Sequence, residues 1–124
     1  MIVLASASPR RAELFRSFGV PFSVRAADVD EARIAAALDG GPAARAERLA
    51  VAKAQAVAGA DTSAVVVGAD TVVALGGEVF GKPRGVMDAR RMLRALSALP
   101  IYYFCVVGLP MAKTAELLQA QGAL

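Results

Sequence analysis

Two hydroxyls and two guanidiniums fall close together near the start of the chain, at Ser6, Ser8, Arg10 and Arg11. They follow a short apolar run, Ile2-Val3-Leu4, that reads as a buried strand, and they lead into a helical pattern reaching about Phe18. Ser8 stands where a helix N-cap belongs, and Pro9 stands at the first helical position, where its missing N–H costs nothing. Free backbone amides, the positive end of the helix dipole and these side chains then converge on one spot. Such a spot suits an anion, best of all a phosphate.

Further chemistry is scattered along the chain. Asp28, Asp30 and Glu31 bring carboxylates together, although on their own they fit a solvated turn and helix start better than a metal site. Asp70 ends the β-branched run Ala64-Val65-Val66-Val67-Gly68-Ala69. In open α/β sheets ligands bind at the carboxyl ends of strands, which makes Asp70 a site candidate; a capping aspartate is the alternative. Lys53 lies beside an apolar helical stripe, as a snorkelling side chain does. Lys82 could reach an anion as a point charge. Gly76 to Lys82 fits G-x-x-x-x-G-K, but Pro83 replaces the hydroxyl residue that would hold Mg²⁺ and no helix starts there, so the match is rejected as a phosphate loop. Histidine is absent, which removes Ser-His-Asp and Cys-His mechanisms. The single cysteine, Cys105, excludes an internal disulfide and reads as a small buried residue.

The elements that must position these groups are legible from their punctuation. Gly19 stops the first helix, and Phe22 opens a strand that runs out near Ala27. Gly40-Gly41-Pro42 precedes a helix over 43–58. The run at Val65–Val67 lacks alternation and reads as a parallel strand covered on both faces. Val72 to Leu75 and Glu78 to Phe80 form a hairpin around Gly76-Gly77. Met87 to Leu99 is a helix with Met92, Leu93, Leu96 and Leu99 apolar and Arg90, Arg91 and Arg94 on its wet face. A strand over 101–107, a turn at Gly108-Leu109-Pro110 and a helix over about 112–121 close the chain.

With 124 residues, 56% hydrophobic and 20% charged, the sequence describes one globular α/β domain. No apolar run approaches the roughly 18 residues that cross a bilayer, and no secretion signal is visible, so a cytoplasmic location and no membrane partner are expected. The net charge of +3 is mild and spread along the chain, which points to a small anionic ligand rather than nucleic acid.

Leu4-Ala5-Ser6-Ala7-Ser8-Pro9-Arg10-Arg11, Asp30-Glu31, Arg48-Leu49-Ala50 with Lys53-Ala54, Gly68-Ala69-Asp70-Thr71-Val72-Val73 and Gly81-Lys82-Pro83 together resemble the Maf family of nucleoside triphosphate pyrophosphatases. The resemblance covers Ile2 to about Ser97 and returns at Val106-Val107-Gly108-Leu109-Pro110 and the closing helix. It implies a Maf/inosine triphosphatase-like α/β fold, a mixed sheet flanked by helices with a cleft, in a single domain over 1–124. Residues 1–97 would form the phosphate-binding part, and 101–124 the C-terminal strand and helix. It also implies a divalent metal, Mg²⁺ or Mn²⁺, and hydrolysis of a nucleoside triphosphate to the monophosphate and pyrophosphate. The wording Gly-Ala-Asp-Thr and the paired arginines resemble the branch acting on dTTP and UTP. By that resemblance Ser6, Arg10 and Arg11 bind phosphate, Glu31 and Asp70 hold metal or activate water, and Lys53 and Lys82 face the triphosphate.

The pattern departs from the family after Ser97, where Ala98-Leu99-Pro100-Ile101 runs straight into what resembles the family's C-terminal strand. An interior stretch is missing, with a glutamine and part of the base-recognition wall. Two further readings follow: a non-catalytic nucleotide-binding or cell-division regulatory module, and a homodimer formed over a sheet edge left open.

Overall fold

The computed structural model describes residues 1–36, 40–59, 63–97 and 111–123. Its elements are β1 (Ile2–Ala5), α1 (Pro9–Arg16), β2 (Phe22–Arg25), α2 (Glu31–Ala36), α3 (Pro42–Ala58), β3 (Val65–Gly68), β4 (Val73–Leu75), β5 (Glu78–Phe80), α4 (Val86–Ser97) and α5 (Met111–Ala120). The expected strand over 101–107, the Gly108-Leu109-Pro110 turn and Cys105 lie outside the described residues.

β1 sits at the centre of a parallel sheet of order β2-β1-β3, with Ile2 facing Phe22 on one side and Val65 on the other. All four β1 residues are buried. Their alternation divides the core into two layers. Ile2 and Leu4 pack with Ala12 and Phe15 of α1 and with Leu118 of α5. Val3 and Ala5 pack with Val57 of α3. Phe15 is fully buried and meets Phe18 edge-on at 5.3 Å and Phe22 at 4.8 Å between ring centroids. The sequence reading expected the Val65–Val67 run to be the doubly covered strand. β3 is parallel and is met on both faces, by the first core cluster at Val65 and Val67 and by the second at Val66, but it is only half-buried, and β1, of equal length, takes the centre.

The local stops follow their residue types. The Ser8 hydroxyl accepts from the Arg11 amide at 3.4 Å as the N-cap of α1, with Pro9 at the helix start. Gly19, at φ +71°, turns the chain out of the helix end. Gly76 and Gly77, at φ +57° and +85°, join β4 to β5 as a tight antiparallel hairpin. The glycine-rich run before Lys82 is therefore a hairpin turn and strand, as its Pro83 suggested.

None of the α4 residues is buried, and Leu93 is exposed instead of packed; Leu99 lies outside the described residues. Arg91 does more than line a wet face. Its Nη1 is 2.7 Å from Glu78, its Nη2 is 3.2 Å from Asp88, and its guanidinium stands 5.7 Å from the centroid of the Phe80 ring, so it docks α4 on the hairpin. Asp88 holds the start of α4 by accepting from the Arg84 amide at 3.1 Å. That bond, helped by Arg91, keeps the Asp88 carboxyl below its ordinary value of 3.8. A depressed carboxyl stabilises the fold above its unfolded value and loses that contribution as pH falls through the folded one. Amide protection at the start of α4 should therefore weaken below about pH 3.8. In Asp88→Asn it should be weaker at neutral pH and flat across this range, as hydrogen exchange monitored by NMR would show.

Candidate active site

The order β2-β1-β3 means that the chain leaves β1 to one side, through α1 to β2, and returns to its other side, through α2 and α3 to β3. The carboxyl ends of β1 and β3 thus form the switch point at which an open α/β sheet leaves a crevice. A cleft of about 400 Å³ opens there. It is lined by Ser6 and Ser8 after β1, Glu31 of α2, Lys53 of α3, Asp70 and Thr71 after β3, Lys82 after β5, and Arg11 of α1.

Lys53 is the centre of the polar arrangement. α3 is an alanine-rich helix that buries Leu49, Lys53 and Val57, spaced four residues apart on its sheet-facing side. The aliphatic stem of Lys53 follows this stripe, and its Nζ reaches Asp70 Oδ1 at 2.6 Å and Glu31 Oε1 at 3.0 Å. The Lys53 and Asp70 side chains are only 10% and 9% exposed, whereas that of Glu31 is 58% exposed. The pair at Asp70 is therefore the strong, desolvated contact, and the one at Glu31 is screened by water. Glu31 is brought within reach by α2, whose start is capped by Asp30 accepting from the Arg33 amide at 2.9 Å. Arg45 of α3 fastens the other end of α2 by donating to the Ala35 carbonyl at 3.1 Å. Of the three clustered carboxylates, Asp30 is thus a cap, Asp28 is exposed and does not line the cleft, and Glu31 does.

Ser6 is buried in the turn after β1, where its Oγ accepts from the Ser8 amide at 3.2 Å. Its own O–H is left to donate into the cleft. Arg11 Nη1 donates to the Ala69 carbonyl at 3.0 Å and to Ser6 Oγ at 3.5 Å, and its Nη2 donates to Thr71 Oγ1 at 2.9 Å. Lys82 is exposed on the rim and has no ion-pair partner among the described residues. Arg10 is exposed on α1 and does not line the cleft, so the structure brings together Ser6, Arg11, Glu31, Lys53, Asp70 and Lys82 without it. Three cations against two carboxylates leave the cleft with a surplus positive charge, which favours an anionic ligand.

Two contributors belong to the Gly-Ala-Asp-Thr motif but had no structural task of their own in the sequence reading. Thr71 follows Asp70 and anchors Arg11. Gly68 is where β3 and α3 come closest: a Cβ there would collide with the Ala50 carbonyl oxygen and lie 3.0 Å from Ala54 Cβ. A lone glycine closing a β-branched run, opposite a helix with alanines four apart, is the signal that could have found it.

Comparison with known proteins fits this geometry. The family model described as Maf-like protein matches residues 1–102. The chain belongs to the Maf family. The matched region contains every Maf candidate residue from Ser6 to Lys82. A dTTP/UTP pyrophosphatase of Geotalea uraniireducens is 48% identical over 99 residues, which are 80% of this chain and 50% of that protein. Proteins of the same name from Moorella thermoacetica and Anaeromyxobacter dehalogenans are 51% and 55% identical over 96 and 97 residues, 48% and 46% of their lengths and 77% of this chain in each case. The chain spans about half the length of the curated Maf relatives it matches. Among the described residues, no helix is long and apolar enough to cross a membrane.

Proposed function

We propose that this chain binds the triphosphate of a dTTP- or UTP-type nucleotide and hydrolyses it to the monophosphate and pyrophosphate. The observation that carries this reading is one ammonium, Lys53 Nζ, held between the Asp70 and Glu31 carboxylates at the floor of a cation-rimmed cleft. The relatives' name, dTTP/UTP pyrophosphatase, supports the substrate class.

Phosphoryl transfer asks a protein mainly for positioning and charge neutralisation. Lys82 on the rim and Lys53 on the floor would neutralise the phosphate oxygens, and the Ser6 hydroxyl would donate to one of them. Asp70 would orient the attacking water, whose oxygen bonds to the α-phosphorus while the bridging oxygen departs with pyrophosphate. A divalent metal fits the donor set. Asp70 and Glu31 each direct one oxygen at Lys53, which leaves Oδ2 and Oε2 to serve as metal ligands. No group of three or more metal-ligating side chains occurs among the described residues, so phosphate oxygens and water would complete the shell, as Mg²⁺ and Mn²⁺ accept. Bound there, such an ion would polarise the phosphoryl oxygens.

Asp70→Asn keeps the shape of the side chain and removes its charge. It is expected to abolish metal-dependent pyrophosphate release from dTTP and UTP while the circular dichroism of the protein stays unchanged. Undiminished turnover would sink the assignment. Tight nucleotide binding by the unaltered chain without pyrophosphate release, seen by calorimetry, would favour a binding module instead.

A further inference from the structure

We propose that Arg11 is a positioning residue for Asp70, acting as a two-point clamp on the loop that carries it, with Thr71 as its second anchor. The inference rests on the reading of Asp70 as the carboxylate at the reacting centre. Arg11 Nη1 grips the main chain just before Asp70, at the Ala69 carbonyl, and Nη2 grips the side chain just after it, at Thr71 Oγ1. Both bonds have ordinary hydrogen-bond lengths, 3.0 and 2.9 Å, and they come from one planar guanidinium, whose nitrogens cannot move independently. The base of the clamp is fixed as well. The Arg11 amide donates to Ser8 Oγ, and Nη1 also reaches Ser6 Oγ, so the loop after β1 and the loop after β3 are joined through a single side chain. Asp70 is thus held from both neighbours, and its Oδ1 stays at 2.6 Å from Lys53 Nζ.

This assigns Arg11 a task distinct from supplying charge to phosphate. A lysine keeps the charge but has one nitrogen on a flexible stem, so Arg11→Lys preserves electrostatics and loses the two-point geometry. Thr71→Val removes the second anchor with little change of volume and no change of charge.

The test follows both variants by pyrophosphate release from dTTP and by NMR relaxation of backbone amides, after a thermal melt shows each to be folded. Each variant is expected to lower kcat by roughly 100-fold, the scale of a small misplacement of a reacting group, with KM nearly unchanged. The order parameters of Asp70 and Thr71 are expected to fall from about 0.85 toward 0.6. A rise in KM alone would make Arg11 a phosphate ligand and overturn the clamp, as would parental order parameters in either variant. If the unaltered chain releases no pyrophosphate, the reading of the reaction fails, and the order parameters alone decide the clamp.

Discussion

Lys53→Met is expected to destabilise the fold by about 3 kcal/mol, because removing one member of a buried ion pair leaves the other without compensation. The methionine fills most of the space of the lysine stem, so the loss arises from charge rather than from a cavity. Asp70 bears it: its side chain is 9% exposed and Lys53 is its ion-pair partner, whereas Glu31, at 58%, can turn to water. The expected value is the lower end of what breaking such pairs costs, since Asp70 opens onto the cleft on one side. The measurement that isolates this effect is a double-mutant cycle by urea unfolding. Adding Asp70→Asn to Lys53→Met removes both charges and should recover most of the lost stability. Pyrophosphate release should be abolished in the double variant, because Lys53, proposed to neutralise phosphate oxygens, and Asp70, proposed to orient the attacking water, are both gone. Strictly additive losses in the two single variants would show that the pair contributes nothing to the fold.

The features that sequence made legible are those set by single residues acting on their own backbone. Ser8 and Pro9 start α1, Gly19 ends it, and Gly76-Gly77 forces a hairpin, each through a local steric or hydrogen-bonding rule. The family pattern carried the rest of the candidate site, because Glu31 and Lys53 on two helices and Asp70 in the loop after β3 are not groups that periodicity can bring together. Strand order was hidden. The run Val65–Val67 is wholly β-branched, yet the crossovers through α1 and through α2 and α3 place β1 in the middle. Arg10 and Arg11 were read as equals, but consecutive helical residues face different directions, so only one of them enters the cleft. Arg91 was read as solvated because its partners, Glu78 and Phe80, lie on another element.

Gly68→Ala is expected to destabilise the chain by about 3 kcal/mol, the upper end of the usual cost of an added methyl in a packed interior. Gly68 is not among the glycines with positive φ, so alanine meets no conformational penalty and the effect is one of packing. The obstacle is the Ala50 carbonyl oxygen, which belongs to the α3 backbone and cannot rotate away, so the helix itself must retreat from β3. Lys53 lies between Ala50 and Ala54 on that helix, and Asp70 follows Gly68 by two residues. A retreat of α3 therefore lengthens the 2.6 Å contact between Lys53 and Asp70, the shortest ion pair of the site. Turnover should fall by roughly 100-fold along with stability, because the two groups no longer converge. Ala54→Gly in the same chain relieves only the 3.0 Å contact with Ala54 Cβ and leaves the Ala50 carbonyl and the residue-54 backbone nitrogen in place, so it should restore neither property. Parental stability and turnover in Gly68→Ala, by urea unfolding and pyrophosphate release, would mean that the spacing of α3 from β3 does not set the geometry of the pair.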